Sequence, residues 1–231
     1  MKKILACVLV AAIFFSIMLG YTFKSTFDDV FSNYLHQTRL EGLNEGAKPF
    51  NERTTMLPAV GIDGNGYLAE LKAYVSRGSG KVYVRIDTEN PILNPDTQTS
   101  VRLALNVARQ VANRDTSNVN LYYDLVSPSG VVGGKSAGAA LAITTIALLR
   151  NESLRKDALI TGTLEPDEKG TIGKVNGIFL KAKAAKNAGY KTLLVPIGTS
   201  IERGVNVEKV TNIQIIEVND ILEAYEQMRE K

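Results

Sequence analysis

The sequence is poor in the residue types that build disulfide frameworks and cysteine-based metal sites. Its 231 residues include one cysteine, Cys7, no tryptophan and one histidine, His36. A single cysteine excludes an intrachain disulfide and a cysteine-based metal site. A Ser-His-Asp triad needs a histidine that is held rigidly beside the serine, and His36 lies far upstream of the central motif described below. A serine nucleophile in this chain would therefore need a different base.

The sequence also lacks a large excess of charge of either sign. The chain has 27 basic and 24 acidic residues, which give a net charge of +3. No basic helix and no basic stripe with interleaved aromatic residues is present. This balance indicates neither a nucleic acid nor a strongly anionic partner. The sequence also shows no motif for a metal or another cofactor, and we predict none.

One long hydrophobic run is present, at the N-terminus. Lys2 and Lys3 precede mostly apolar residues 4–23, a length that spans a bilayer core as a helix. The alternative is a cleaved signal peptide, which ends in a small-x-small site, and Met18 and Gly20 match that pattern poorly. The positive-inside rule places the N-terminus in the cytoplasm and the remainder of this single-pass membrane protein on the extracytoplasmic side.

The sequence predicts three regions: a transmembrane anchor over 1–24, a juxtamembrane stalk and linker over 25–56, and a globular domain over 57–231. Strands and helices alternate only in the second half, which favours an α+β fold with a mixed sheet and packed helices. The expected elements are a hairpin of strands 67–75 and 81–86 around Arg77-Gly78-Ser79-Gly80, a helix over 100–111 capped by Thr97 or Thr99, a strand over 118–126, helices over 137–150 and 178–187, strands over 191–196 and 213–218, and a helix over 220–229 capped by Asn219.

The central motif is the turn Gly133-Gly134-Lys135-Ser136-Ala137-Gly138, between a predicted strand and a predicted helix. Backbone N–H groups at the first turn of a helix are unpaired and carry the positive end of the helix dipole. Ser136 there is either a helix cap or a nucleophile beside an oxyanion hole. A third interpretation is a phosphate loop, but G-x-x-x-x-G-K-[ST] requires glycine where Ser129 stands.

A serine nucleophile without histidine can use a neutral lysine as its base. Lys181 and Lys183 lie on the predicted helix 178–187, and Lys181 follows Phe179 and Leu180. Desolvation among apolar residues lowers the pKa of a lysine toward the range in which it accepts protons. The alternative is an ordinary lysine on a solvated helix face.

Two segments carry a family resemblance. The turn Gly133–Gly138 resembles the Gly-Pro-Ser-Ala-Gly nucleophile segment of Lon-type proteases. Residues 161–167 and 173–196 resemble the lysine segment of that family, in the right order and at a similar separation. Residues 57–231 as a whole look like the proteolytic domain of these enzymes, and the membrane-anchored, ATPase-free Lon-like proteases are the most similar variant.

The resemblance implies roles by matching position. It makes Ser136 the nucleophile and Lys181 the general base, and Thr161 matches a threonine that helps to hold the lysine. Gly134 and Ala137 flank the serine in a segment whose backbone N–H groups stabilise the oxyanion. Lys135 stands where the family usually has proline, and it places a cation beside the nucleophile.

The implied function is an ATP-independent serine endopeptidase that cleaves flexible or unfolded polypeptides at a membrane surface with a Ser-Lys dyad. The family also implies a homo-oligomer. Two alternatives remain open at this stage: a catalytically inactive module that only binds peptides, and a nucleotide-binding phosphate loop.

Overall fold

The computed structural model describes residues 51–86, 92–93, 96–128, 131–132, 134–167 and 169–230. The predicted anchor over 1–24 and nearly all of the predicted stalk lie outside these residues. Within the described part of the chain, no helix is both long and apolar enough to cross a bilayer.

The described residues form sheets and five helices, which confirms the α+β class. The strands are β1 (Asn51–Val60), β2 (Gly66–Arg77), β3 (Val82–Ile86), β4 (Ile92–Leu93), β5 (Val119–Val126), β6 (Val131–Val132), β7 (Ala158–Ile160), β8 (Thr163–Leu164), β9 (Ile172–Gly173), β10 (Thr192–Pro196), β11 (Ile201–Glu202), β12 (Val205–Asn206) and β13 (Gln214–Val218). The helices are α1 (Asp96–Ala112), α2 (Gly138–Arg150), α3 (Ile178–Asn187), α4 (Val207–Thr211) and α5 (Ile221–Met228), and a 3₁₀ turn covers Lys135–Ala137.

A four-stranded mixed sheet, in the order β1-β2-β5-β3, forms one layer of the domain. Neighbouring strands in this sheet are antiparallel, except that β3 and β5 are parallel. Alternate residues of β5, namely Leu121, Tyr123 and Leu125, are fully buried. This period of two places one face of the sheet against the core.

The predicted hairpin of β2 and β3 is wrong, because β5 lies between these strands. The Gly-rich loop that joins them is tied to β5 instead. Asn120 accepts hydrogen bonds from the backbone N–H groups of Ser79 and Lys81 through Oδ1, each at 3.0 Å. Strand β5 lies between β2 and β3 because burial of its apolar residues favours a central position in the sheet. A local turn pattern between β2 and β3 does not reveal this position.

The predicted boundaries also need correction. Strand β1 begins at Asn51, inside the stretch predicted to be a linker, and it pairs with β2 along its whole length. The last helix is capped by Asp220, whose side chain accepts from the Glu223 N–H, rather than by Asn219. The alternating burial of β1 explains why it belongs to the sheet despite its polar composition.

Helix α2 forms the centre of the domain. Its residues 138–148 are all buried, and it contacts α1 and strands β1 and β2. A helix that is apolar on every side is stable only when other elements surround it. The predicted nucleophile segment therefore leads into a helix that is buried over residues 138–148.

A second layer contains a three-stranded parallel sheet, in the order β13-β10-β7, with helix α3 packed nearby. Helix α3 also contacts β1 and β2. Gly66, at the start of β2, makes this contact close: a Cβ atom at that position would lie 2.2 Å from the Leu180 carbonyl oxygen. Glycine is therefore required where the strand meets the helix that carries Lys181.

Candidate active site

The turn that carries Ser136 is shaped by Gly134, which has a φ of 125° that L-residues with a side chain rarely adopt. The chain then forms the 3₁₀ turn Lys135–Ala137 and enters α2. Ser136 is half-buried, and Lys135 is exposed. The sequence motif thus places the serine hydroxyl at the junction between a tight turn and a buried helix.

Helix α1 holds this turn from the other side. The Gly134 N–H donates to Thr97 Oγ1 at 3.0 Å, and Ser100 Oγ donates to the Gly134 carbonyl at 3.4 Å. The predicted capping role of Thr97 is wrong, because α1 begins at Asp96 and the Thr97 hydroxyl is used by Gly134. Thr97 and Gly134 are 37 residues apart in the sequence, so no local sequence pattern predicts this hydrogen bond.

The two residues that flank the Lys135-Ser136 pair form backbone hydrogen bonds that hold the turn. The Gly134 N–H donates to Thr97, and the Ala137 N–H donates to the Gly134 carbonyl at 3.2 Å. In this structure both N–H groups have partners within the protein, and their role as oxyanion donors stays a prediction. Their contribution is to fix the position of Ser136.

Lys181 and Lys183, the two lysines that the sequence offered as bases, differ sharply in burial. Lys181 retains 3% exposure, whereas Lys183 is exposed on the same helix. Lys181 Nζ donates a hydrogen bond to Thr161 Oγ1 at 3.0 Å. The structure therefore brings Thr161 to the buried amine and leaves Lys183 in solvent.

Thr161 also connects the lysine to the serine turn. Its Oγ1 donates to the Ser136 carbonyl at 3.4 Å, and the neighbouring Gly162 N–H donates to the same carbonyl at 3.1 Å. The Ala139 N–H in turn donates to the Gly162 carbonyl at 3.1 Å. These bonds hold the segment after β7 against the start of α2, so Lys181, Thr161 and the Ser136 backbone share one rigid framework.

Burial dominates the electrostatics of Lys181. Desolvation lowers the pKa of its amine from 10.5 to about 8, and the negative charge of Glu202 acts in the opposite direction. An amine with a pKa near 8 is partly neutral at physiological pH and can accept a proton.

Glu202 supports the candidate site, and the sequence did not reveal it. It ends strand β11, and its two carboxylate oxygens accept hydrogen bonds from the Gly177 and Phe179 N–H groups, each at 2.8 Å. Unpaired N–H groups at a helix start need an acceptor, and here it comes from a hairpin over 20 residues downstream. Glu202 thereby fixes the first turn of α3, one turn before Lys181.

Ser136 and Lys181 line the same cleft, which has a volume of about 290 Å³. Lys135, Thr163, Lys174 and Asn176 also line it, together with two valines. Over the residues that the structure describes, no group of three His, Cys, Asp or Glu side chains could hold a metal ion. The polar groups that line this cleft are two hydroxyls, one amide, one buried amine and two exposed lysine side chains.

Comparison with known proteins gives a consistent family. The model of the Lon protease (S16) C-terminal proteolytic domain matches residues 73–227. The Archaeal Lon protease of Archaeoglobus fulgidus is 26% identical over 163 residues, which cover 71% of this chain and 25% of that protein. The Archaeal Lon protease of Methanocaldococcus jannaschii is 30% identical over 107 residues, or 46% of this chain and 16% of that protein.

A bacterial relative gives the same result. The Lon protease of Buchnera aphidicola subsp. Acyrthosiphon pisum is 26% identical over 168 residues, covering 64% of this chain and 20% of that protein. The chain thus spans a quarter or less of the length of these three relatives. The family match covers more than half of the 231 residues and confirms the resemblance found in the sequence. The chain belongs to the family of the Lon protease (S16) C-terminal proteolytic domain.

Proposed function

We propose that the protein is a serine endopeptidase in which Ser136 is the nucleophile and Lys181 the general base. One observation carries the proposal: the Lys181 amine is buried, bonded to Thr161, and lines the same cleft as Ser136. Among the described residues Lys181 forms no ion pair, and burial of an amine without one is unfavourable for folding. Because the chain belongs to a family of proteolytic domains, a catalytic role for Lys181 accounts for its burial.

In this mechanism neutral Lys181 removes the proton from Ser136 Oγ as the oxygen attacks the carbonyl carbon of a peptide bond. The protonated amine then gives its proton to the leaving nitrogen, and the C–N bond breaks. A water molecule then attacks the carbonyl carbon of the resulting ester while Lys181 accepts its proton. Lys181 returns this proton to Ser136 Oγ as the ester C–O bond breaks, which releases the carboxylic acid product and restores the free enzyme. Thr161 keeps the amine in place through both halves of the reaction.

We further propose that cleavage requires no ATP and acts on flexible or unfolded polypeptides. The phosphate-loop pattern is incomplete, because Ser129 stands where the pattern requires glycine, and this supports cleavage without ATP. The apolar residues 4–23 support attachment of the protein to a membrane, with the proteolytic domain on the extracytoplasmic side. A homo-oligomer is part of the same proposal.

The experiment that tests this function measures degradation of an unfolded, fluorescently labelled protein by the full chain in mild detergent. We expect cleavage at the same rate with and without ATP, and none by Ser136→Ala purified in parallel. Peptide binding without any cleavage by the wild-type protein, at several pH values and concentrations, would instead establish the inactive peptide-binding module.

Thr161→Val tests how much the position of the amine matters. The variant removes the hydroxyl that accepts from Lys181 Nζ, and we expect kcat to fall about 10- to 100-fold, because small misplacements of a catalytic group have effects of that size. Thr144→Val is the matched control. Thr144 is equally buried, and among the described residues its hydroxyl bonds only the Ala140 carbonyl in its own helix. Equal kcat values for the two variants would contradict the role of Thr161.

A further inference from the structure

The cleft beside Ser136 carries charge of one sign. Three lysines line it, namely Lys135, Lys174 and Lys181, and no Asp or Glu is among the described residues of its lining. Lys181 is buried, but Lys135 and Lys174 are exposed. Exposed ammonium groups are compact charges that carry three hydrogen-bond donors each. Two of them therefore face any polypeptide that enters the cleft.

The two exposed lysines come from separate parts of the chain. Lys135 directly precedes Ser136 in the 3₁₀ turn, whereas Lys174 follows β9 on the way to α3. A peptide held with its carbonyl at Ser136 must pass close to Lys135, because the two residues are adjacent. Lys174 supplies a second cation along the same cleft.

The cations are only weakly compensated within the protein. Lys135 Nζ lies 3.9 Å from Asp96 Oδ1, and both side chains are at least half exposed. Exposed pairs at such distances stabilise a protein by about 1 kcal/mol or less. Over the described residues, Lys174 forms no ion pair. A carboxylate from a ligand can therefore approach both lysines without breaking a strong internal interaction.

We propose that the cleft selects polypeptides with aspartate or glutamate within about two residues of the bond that is cut, and that Lys135 and Lys174 are the specificity-determining residues. This inference rests on the proposed peptidase function, whose site it describes further. Acidic side chains next to the scissile bond are steered to the cleft and held there, and basic ones are repelled.

The test uses three internally quenched peptides that differ only in carrying Asp, Asn or Lys at the positions flanking one scissile bond. For the full chain in detergent we expect kcat/KM for the Asp peptide to exceed that for the Asn peptide by about five- to tenfold, which is the effect of two exposed charge pairs. The Lys peptide should be cut most slowly. The ratio should shrink at high salt, because salt screens exposed charges.

Variants of Lys135 and Lys174 test whether these residues cause the preference for acidic peptides. Lys135→Gln and Lys174→Gln should each reduce the Asp-to-Asn ratio, and the double variant should bring it close to one. Lys183→Gln removes an exposed lysine from α3, outside the cleft lining, and should keep the wild-type ratio. A ratio that survives in the double variant overturns the inference.

A binding measurement separates this inference from the proposed function. Fluorescence anisotropy with Ser136→Ala gives the affinities of the same three peptides without turnover. Tighter binding of the Asp peptide, combined with no cleavage by the wild-type protein, would keep the acidic preference and overturn the peptidase. Equal affinities, or no binding of any peptide, would overturn the acidic preference. In that case the cleavage assay with the wild-type protein alone would decide whether the protein is a peptidase.

Discussion

Replacement of Lys181 by methionine is expected to reduce peptide cleavage by a factor on the order of 10⁴ or more. Loss of the base in a hydrolase with an activated serine has effects of this size, because members of such a group act as a unit. Methionine has a similar length and fits an apolar environment, so the variant removes the amine and retains most of the packing. The rate is measured with a quenched peptide against the same concentration of wild-type protein.

The same variant should be more stable than the wild type at pH 7. Burial lowers the pKa of Lys181 from 10.5 to about 8, and a depression of this size corresponds to roughly 3 kcal/mol. At pH values below about 8 the folded protein holds a charge that it solvates poorly. Wild-type stability therefore rises as the pH increases from about 8 to 10.5, and methionine removes this dependence. Thermal unfolding of both proteins at pH 7 and pH 10 measures the difference.

Lys183→Met is the matched control, because Lys183 lies two residues further along the same helix and is exposed. It should keep both the activity and the pH dependence of stability of the wild type. An inactive Lys181→Met protein that is less stable at pH 7 than the wild type would mean that the lysine serves the fold. Full activity in Lys181→Met would exclude it as the base.

The sequence predicted the elements around the site well because their signals are local. Helix α3 matches the predicted span 178–187, and helix α2 begins one residue after its predicted start. Apolar runs, small residues and a glycine after the helix define these elements over a few turns. Pairing of β3 with β5 was missed, because the partner of a strand depends on burial across the whole sheet.

The contacts that fix the site geometry were not predictable in the same way. Thr97 bonds Gly134 over 37 residues, and Glu202 caps the helix of Lys181 from a hairpin downstream. Both are polar side chains in loops or at element ends, where no periodicity identifies a partner. The motif and the family resemblance indicated Ser136 and Lys181 as candidates for the chemistry, whereas the residues that hold them in place became visible only in the folded structure.

The second large effect concerns pH. Because only the neutral form of Lys181 accepts a proton, kcat/KM should follow the fraction of neutral amine in the free enzyme. With a pKa of about 8, the rate should fall about tenfold for each pH unit below that value, and at pH 6 it should be about 1% of its plateau. A peptide with blocked termini and without titratable side chains, assayed between pH 5.5 and 9.5, keeps the substrate charge constant.

Glu202 provides the variant that distinguishes Lys181 from other titrating groups. Its negative charge opposes desolvation and raises the pKa of Lys181, so Glu202→Gln should move the midpoint of the profile to lower pH. His36→Asn removes the single histidine, whose ordinary pKa also falls within the assayed range, and should leave the midpoint unchanged. Lys135 and Lys174 line the same cleft as Lys181. Replacing each of them by glutamine tests whether neighbouring cations affect the midpoint of the pH profile.

The direction of these shifts decides the assignment. A general base with a depressed pKa gives a rate that rises with pH and then levels, because protonation inactivates it. A profile that is flat between pH 6 and 9 would mean that Lys181 does not titrate in the catalytic step. A midpoint that moves in His36→Asn and not in Glu202→Gln would assign the titration to the histidine, and Ser136 would then require a base from the N-terminal part of the chain.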